Sequence, residues 1–113
     1  MIEIGPYKTG QVYCGDSLEL WKSIPDNSID VIFTDPPWDK ASTHLYIETA
    51  KVGARILKDG GALFLLNGGI NFEEVFDGVR EWMDFHWMCG LSLASGFGVS
   101  IVHQKRVHNA SIY

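Results

Sequence analysis

Asp35-Pro36-Pro37-Trp38 places a carboxylate, two conformationally fixed residues and a flat aromatic side by side. The carboxylate can accept hydrogen bonds from a polar ligand. Each proline ring holds φ at about −65°, which narrows the directions in which the neighbouring carbonyls point. The indole offers a broad face on which a planar group can stack. Acceptors at preset angles beside a stacking surface suit a site that orients a flat, hydrogen-bonding substrate. The same four residues also read as a rigid turn with a buried aromatic, and their setting must choose between the two.

Several elements must position this tetrapeptide. The apolar run 29–34 directly before it reads as a buried strand bounded by turn residues. In open α/β sheets, ligands bind beyond the carboxyl ends of the strands, which is where Asp35 would then stand. Upstream, Gln11-Val12-Tyr13-Cys14 reads as a short strand. Asp16 suits a helix N-cap with Glu19 as its capping-box partner, and Leu18, Trp21 and Ile24 follow at helical spacing. Pro25-Asp26-Asn27-Ser28 turns the chain into the central strand.

Downstream, the polar residues 39–43 read as a mobile loop. A helix is expected over residues 43–57, with Leu45, Val52 and Ile56 on one face and Asp59-Gly60-Gly61 as its stop. Residues 62–66 form a second buried strand, and Asn67-Gly68-Gly69 a loop. Asn71 with Glu74 makes another capping box ahead of Phe72, Val75, Phe76, Val79, Trp82 and Met83, which share a helical face. Trp82, Phe85 and Trp87 are expected in the core. Segments 86–93 and 98–103 read as two more strands separated by Ser95-Gly96. This alternation predicts an α/β domain: a mostly parallel sheet with flanking helices and an antiparallel strand pair at the C-terminal end.

Composition narrows the function classes. With 113 residues the chain makes one domain, and 46% hydrophobic with 20% charged residues is the balance of a globular protein in water. No apolar stretch approaches the roughly 18 residues of a membrane span, so no membrane partner is expected. Met1–Pro6 lacks the basic and apolar regions of a signal peptide, and Cys14 and Cys89 form no paired motif, so a cytoplasmic protein with reduced thiols is expected. His44, His86, His103 and His108 lack metal-ligand spacing, so no metal is expected. The net charge of −5 hides an asymmetry. All fourteen acids lie at or before Asp84, whereas residues 85–113 carry Lys105, Arg106 and three histidines. That basic end suits either phosphate contact or a plain solvated edge.

The motif and its flanks resemble the D-P-P-(Y/F/W) amino-methyltransferases, which move a methyl group from S-adenosylmethionine to an exocyclic base nitrogen. Gly15-Asp16, leading into a helix and then the D-P-P strand, is similar to the opening of bacterial and phage DNA amino-methyltransferases in which the catalytic motif precedes the cofactor motif. Residues 55–61, Arg-Ile-Leu-Lys-Asp-Gly-Gly, are similar to that family's R-x-L-K-x-G-G segment. The family's D-P-F-x-G-x-G-like cofactor turn has no counterpart, since Ser95-Gly96-Phe97-Gly98 lacks the following glycine and helix. The resemblance therefore implies a partial Rossmann-like methyltransferase fold, with residues 1–113 forming a single partial catalytic domain.

It also implies roles. Asp35 would accept one N–H of the target amine and the Pro36 carbonyl the other, favouring a pyramidal nitrogen whose lone pair faces the methyl donor. Pro37 would stiffen the turn, and Trp38 would stack on a base drawn out of the duplex. Asp35 and Asp16 would face S-adenosyl-L-methionine, although Asp16 also reads as a plain N-cap. Trp38, Lys40, Lys105 and Arg106 would meet DNA, with a plain surface role equally open to Lys105 and Arg106 and a solvated loop the first reading of Lys40. Aspartate at the first motif position implies adenine N6 as the target and a restriction-modification or prophage setting. The rival readings are a catalytically inert remnant or one half of a two-chain enzyme. In either case an exposed sheet edge would pair with a partner chain or with a second copy. An RNA or protein-amide methyltransferase is a third.

Overall fold

The computed structural model describes residues 1–93 and 96–105. The chain opens with a small hairpin of β1 (Glu3–Ile4) and β2 (Tyr7–Lys8). The Tyr7 hydroxyl donates to the Leu20 carbonyl at 2.5 Å, which ties this hairpin to α1 (Ser17–Leu20). Residues 11–14, expected as a strand, join no ladder among the described residues, and Val12 is 97% exposed. A strand needs a ladder to satisfy its backbone, and neither sheet offers this segment a neighbour. Asp16 caps α1 as expected, its Oδ1 accepting the Leu18 N–H at 2.9 Å. Glu19 does not complete a capping box; it pairs with Lys22 at 2.9 Å.

The main sheet holds β3 (Ile29–Thr34), β4 (Leu57–Asn67), β5 (Asp84–Leu93) and β6 (Gly96–Gln104) in the order β3-β4-β6-β5. Strands β3 and β4 are parallel, while β6 is antiparallel to both β4 and β5. Three strands thus run one way, with β6 reversed between β4 and β5. The α/β class, the common strand direction and the C-terminal antiparallel pair all match the sequence reading. Strand β3 lies at the edge of this sheet, where a buried central strand was expected. Its Val31 and Phe33 are 53% and 69% exposed, because no layer covers that face.

Helices α2 (Thr43–Ile56) and α3 (Phe72–Arg80) pack on the other face. Tyr46 and Ala50 of α2, Leu57, Leu63 and Leu65 of β4, Val75 and Val79 of α3, and Met83 form the core. Alternation along β4 explains this: residues 63, 65 and 67 point inward, while 62, 64 and 66 are half-buried. Each fully buried Leu or Val contributes roughly 1.5–3 kcal/mol. Helix α2 ends because Leu57 turns extended, before the expected glycine stop. Gly60, at φ +80°, instead serves the bulge that separates the Ile29–Leu57 pairing from Val31–Ala62.

The expected apolar face of α3 holds for Val75, Val79 and Met83. Trp82 leaves it: 42% exposed, its ring receives the Lys51 ammonium at 5.3 Å. Phe85 and Trp87 are exposed as well, since β5 is the second edge of the sheet. No helix among the described residues is long and apolar enough to cross a membrane.

Candidate active site

Strand β3 delivers Asp35 at its carboxyl end, immediately past the last paired residue, Thr34 opposite Leu65. The Asp35 side chain is exposed, and Oδ1 accepts the Trp38 indole N–H at 2.7 Å. No cation forms an ion pair with Asp35 among the described residues. The Trp38 ring lies against Gly68 in the loop after β4: a Cβ there would come within 3.1 Å of the indole. Only glycine allows so close an approach without displacing the ring.

Two buried side chains fix the backbone of the motif. Tyr46, fully buried on the first turn of α2, donates to the Pro36 carbonyl at 2.9 Å and to Leu66 O at 3.2 Å. Burial pushes its phenol up to about 12, and the nearby carboxylates of Asp35 and Asp39 push in the same direction. Tyr46 is therefore a neutral donor across the physiological range. Asn71 occupies the N-cap position of α3 but makes no capping bond with its side chain. Its Nδ2 instead donates to Asp39 O at 3.2 Å and Thr43 Oγ1 at 3.3 Å, which corrects the capping-box expectation.

Asp39 is itself a cap. Its Oδ1 accepts the Ser42 N–H at 2.8 Å, and residues 40–42 form a 3₁₀ turn where a mobile loop was expected. Lys40 lies exposed two residues beyond Trp38, on the motif's side of the sheet. Lys105 does not: it follows β6 beside the start of β4, at the opposite end. Its ammonium donates to Leu57 O at 2.7 Å and to Asn27 Oδ1, and lies 3.7 Å from Asp59. These bonds make Lys105 a structural tie. Arg106 lies outside the described residues.

A cleft of about 340 Å³ runs from Ser17, Leu18 and Trp21 to Thr34, Pro36 and Pro37. It brings the segment capped by Asp16 to the same cleft wall as the motif. Tyr46 is the positioning residue that sequence reasoning missed; its signal was a hydroxyl-bearing aromatic on the apolar face of the helix after the motif. Asn71's tether to Asp39 had no sequence signal.

The chain is 39% identical to the type II methyltransferase M.BamHI of Bacillus amyloliquefaciens over 58% of its length, which is 20% of that protein. It is 36% identical to the type II methyltransferase M.PvuII of Proteus hauseri over 53% of its length and 21% of that protein. The solved PvuII DNA methyltransferase, cytosine-N4-specific, superposes with a TM-score of 0.59 at 25% identity, covering 83% of this chain and 48% of that one. A DNA modification methylase of Thermus thermophilus, solved with S-adenosyl-L-methionine, superposes with a TM-score of 0.70 at 15% identity, over 86% of this chain and 54% of that one. The chain thus spans about a fifth of its curated relatives and about half of these solved structures. No protein-family model matches it.

Proposed function

Because this chain is a relative of the N6-adenine/N4-cytosine DNA amino-methyltransferases, we propose that it carries the catalytic motif of an S-adenosyl-L-methionine-dependent enzyme that methylates an exocyclic amino group of a DNA base. The observation that carries this reading is the position of Asp35–Trp38 past the end of β3, with its carboxylate open to solvent and its Pro36 carbonyl held in place. Adenine N6 is the proposed target on the strength of Asp35, and the cytoplasm of a cell with a restriction-modification or prophage system its setting.

The cleft fits the cofactor in size, since ligand sites begin at roughly 300 Å³, and in its hydroxyl-bearing wall of Ser17 and Thr34. Ser17 and Thr34, which line the cleft, would hold it there, with Asp16 and Asp35 next to them in sequence but outside the lining. When bound it supplies an electrophilic methyl group on a sulfonium. Asp35 and the Pro36 carbonyl accept the two N–H bonds of the amine and direct its lone pair toward that methyl. Bonding of the nitrogen to that methyl would break the carbon–sulfur bond, whose electron pair would leave with the thioether product, and Asp35 would accept the proton that the positively charged nitrogen then releases. Trp38 stacks on the extruded base, and Lys40 meets the adjacent phosphate. No covalent bond to the protein is needed, so Cys14 and Cys89 have no part.

The test is calorimetric titration with S-adenosyl-L-methionine, followed by transfer of labelled methyl to duplexes containing adenine or cytosine in the target strand. Asp35→Ala is expected to reduce transfer by roughly 10²–10³-fold. Transfer that survives Asp35→Ala refutes the assignment, and transfer to cytosine alone refutes adenine as target. A second reading is favoured by the free β3 edge and by an apolar cleft of about 400 Å³ beside it, lined by Tyr7, Tyr13, Leu20, Ile24, Ile29 and Val31. In it, a partner chain or a second copy pairs with this edge and completes the cofactor site. A folded chain that binds no cofactor alone but does so with such a partner would establish it.

A further inference from the structure

We propose that Tyr46 is a positioning residue that leaves the motif with one open acceptor on Asp35 and one on Pro36, matched to the two N–H bonds of a primary aromatic amine; this rests on the methyl-transfer reading above. The β3–β4 ladder stops at Thr34 and Leu65, so the motif backbone has no strand partner to hold it. The Tyr46 hydroxyl takes over there. It bridges the Pro36 and Leu66 carbonyls at 2.9 and 3.2 Å, joining the two strand ends from the core side.

The bridge also determines which lone pairs stay free. A carbonyl oxygen has two acceptor sites, and Tyr46 occupies one on Pro36. The Trp38 indole takes one lone pair of Asp35 Oδ1 in the same way, which leaves Oδ2 as the oxygen with no donor on it. A core tyrosine needs only some partner for its hydroxyl; this one uses the carbonyl of the motif itself. Its raised phenol, held protonated by burial and two carboxylates, keeps the donor in place at any pH at which DNA stays paired.

Tyr46→Phe fills the same volume and removes only the hydroxyl, and it should be compared with Val52→Ala, a core change on the same helix away from the motif. Solvent exchange of the Trp38 indole N–H, read by NMR, is expected to quicken about 10-fold in Tyr46→Phe and to stay at the wild-type rate in Val52→Ala. Labelled-methyl kinetics should show kcat reduced by about 10-fold or more, with KM for DNA within about 2-fold. Unchanged indole exchange in Tyr46→Phe overturns the proposal, as does a kcat loss that Val52→Ala reproduces. If the wild-type chain transfers no methyl group, alone or with the partner of the second reading, the methyl-transfer reading fails by itself. The indole exchange still decides whether Tyr46 positions the motif.

Discussion

The two ends of the sheet are built on opposite plans. At the end where β4 starts, cations close the backbone. Arg55 donates to Ile24 O at 2.7 Å, Trp21 O at 2.9 Å and Asp26 at 2.9 Å; Lys58 pairs with Asp30; Lys105 bonds Leu57 O. At the end where β3 stops, neutral donors take over: a phenol, an indole and an amide. Full charges tie a terminus strongly but would also neutralise a nearby carboxylate. Neutral donors fix the motif's geometry and leave Asp35 outside any ion pair among the described residues. One end is tied by charges, and the other keeps open acceptors.

Arg55→Ala should break the closed end most severely. Losing three charge-assisted bonds, with Trp21 O keeping only the Ile24 N–H at 3.0 Å, is expected to cost about 3 kcal/mol in urea unfolding, with Trp38 indole exchange unchanged in the folded fraction. An Arg55→Ala chain as stable as wild type would remove the contrast. Lys105→Ala should cost less, about 1–2 kcal/mol, because one carbonyl and one amide lose a donor. The salt dependence of DNA affinity should not move, whereas a slope smaller by about one would restore Lys105 as a phosphate contact.

The smallest effect belongs to the open end and appears only in alkali. The unfolded chain releases the Tyr46 proton near its ordinary pKa, while the folded chain holds it until about pH 12. The unfolded state then binds fewer protons, so stability falls as pH rises through that window. Wild type should lose about 1 kcal/mol more than Tyr46→Phe between pH 9 and 11. Parallel pH profiles for the two proteins would place the Tyr46 hydroxyl in contact with solvent.

Local signals in the sequence found what is local in the structure. The run 29–34, the Asp16 cap, the helix from Thr43 and the paired strands near the C-terminal end all declare themselves within a few residues. Long-range packing was not visible. Val31 and Phe33 have strand composition whether or not a layer covers them, so their exposure could not be read from apolarity. Residues 11–14 carry strand propensity, yet no strand accepts them. Lys105 looked like a free surface cation because its partners lie 78 residues back at Asn27 and 48 back at Leu57. The motif was legible because its four residues are contiguous. The side chains that hold it, Tyr46 and Asn71, were not, because each acts on backbone atoms that carry no sequence identity.

The place of β6 has a consequence during synthesis. Strand β5 leaves the ribosome before β6 but, among the described residues, pairs only with β6, and β4 pairs with β3 and β6. A nascent chain released up to residue 93 can close the β3-α2-β4 unit and dock α3, yet β5 has no neighbour. The last of the described strands to emerge must slot between two that are already out. Until it does, the edge of β4 stands open to any extended peptide nearby. Translational pausing before residue 104 would prolong that exposure, and the Asp35–Trp38 turn would already be assembled while it lasted.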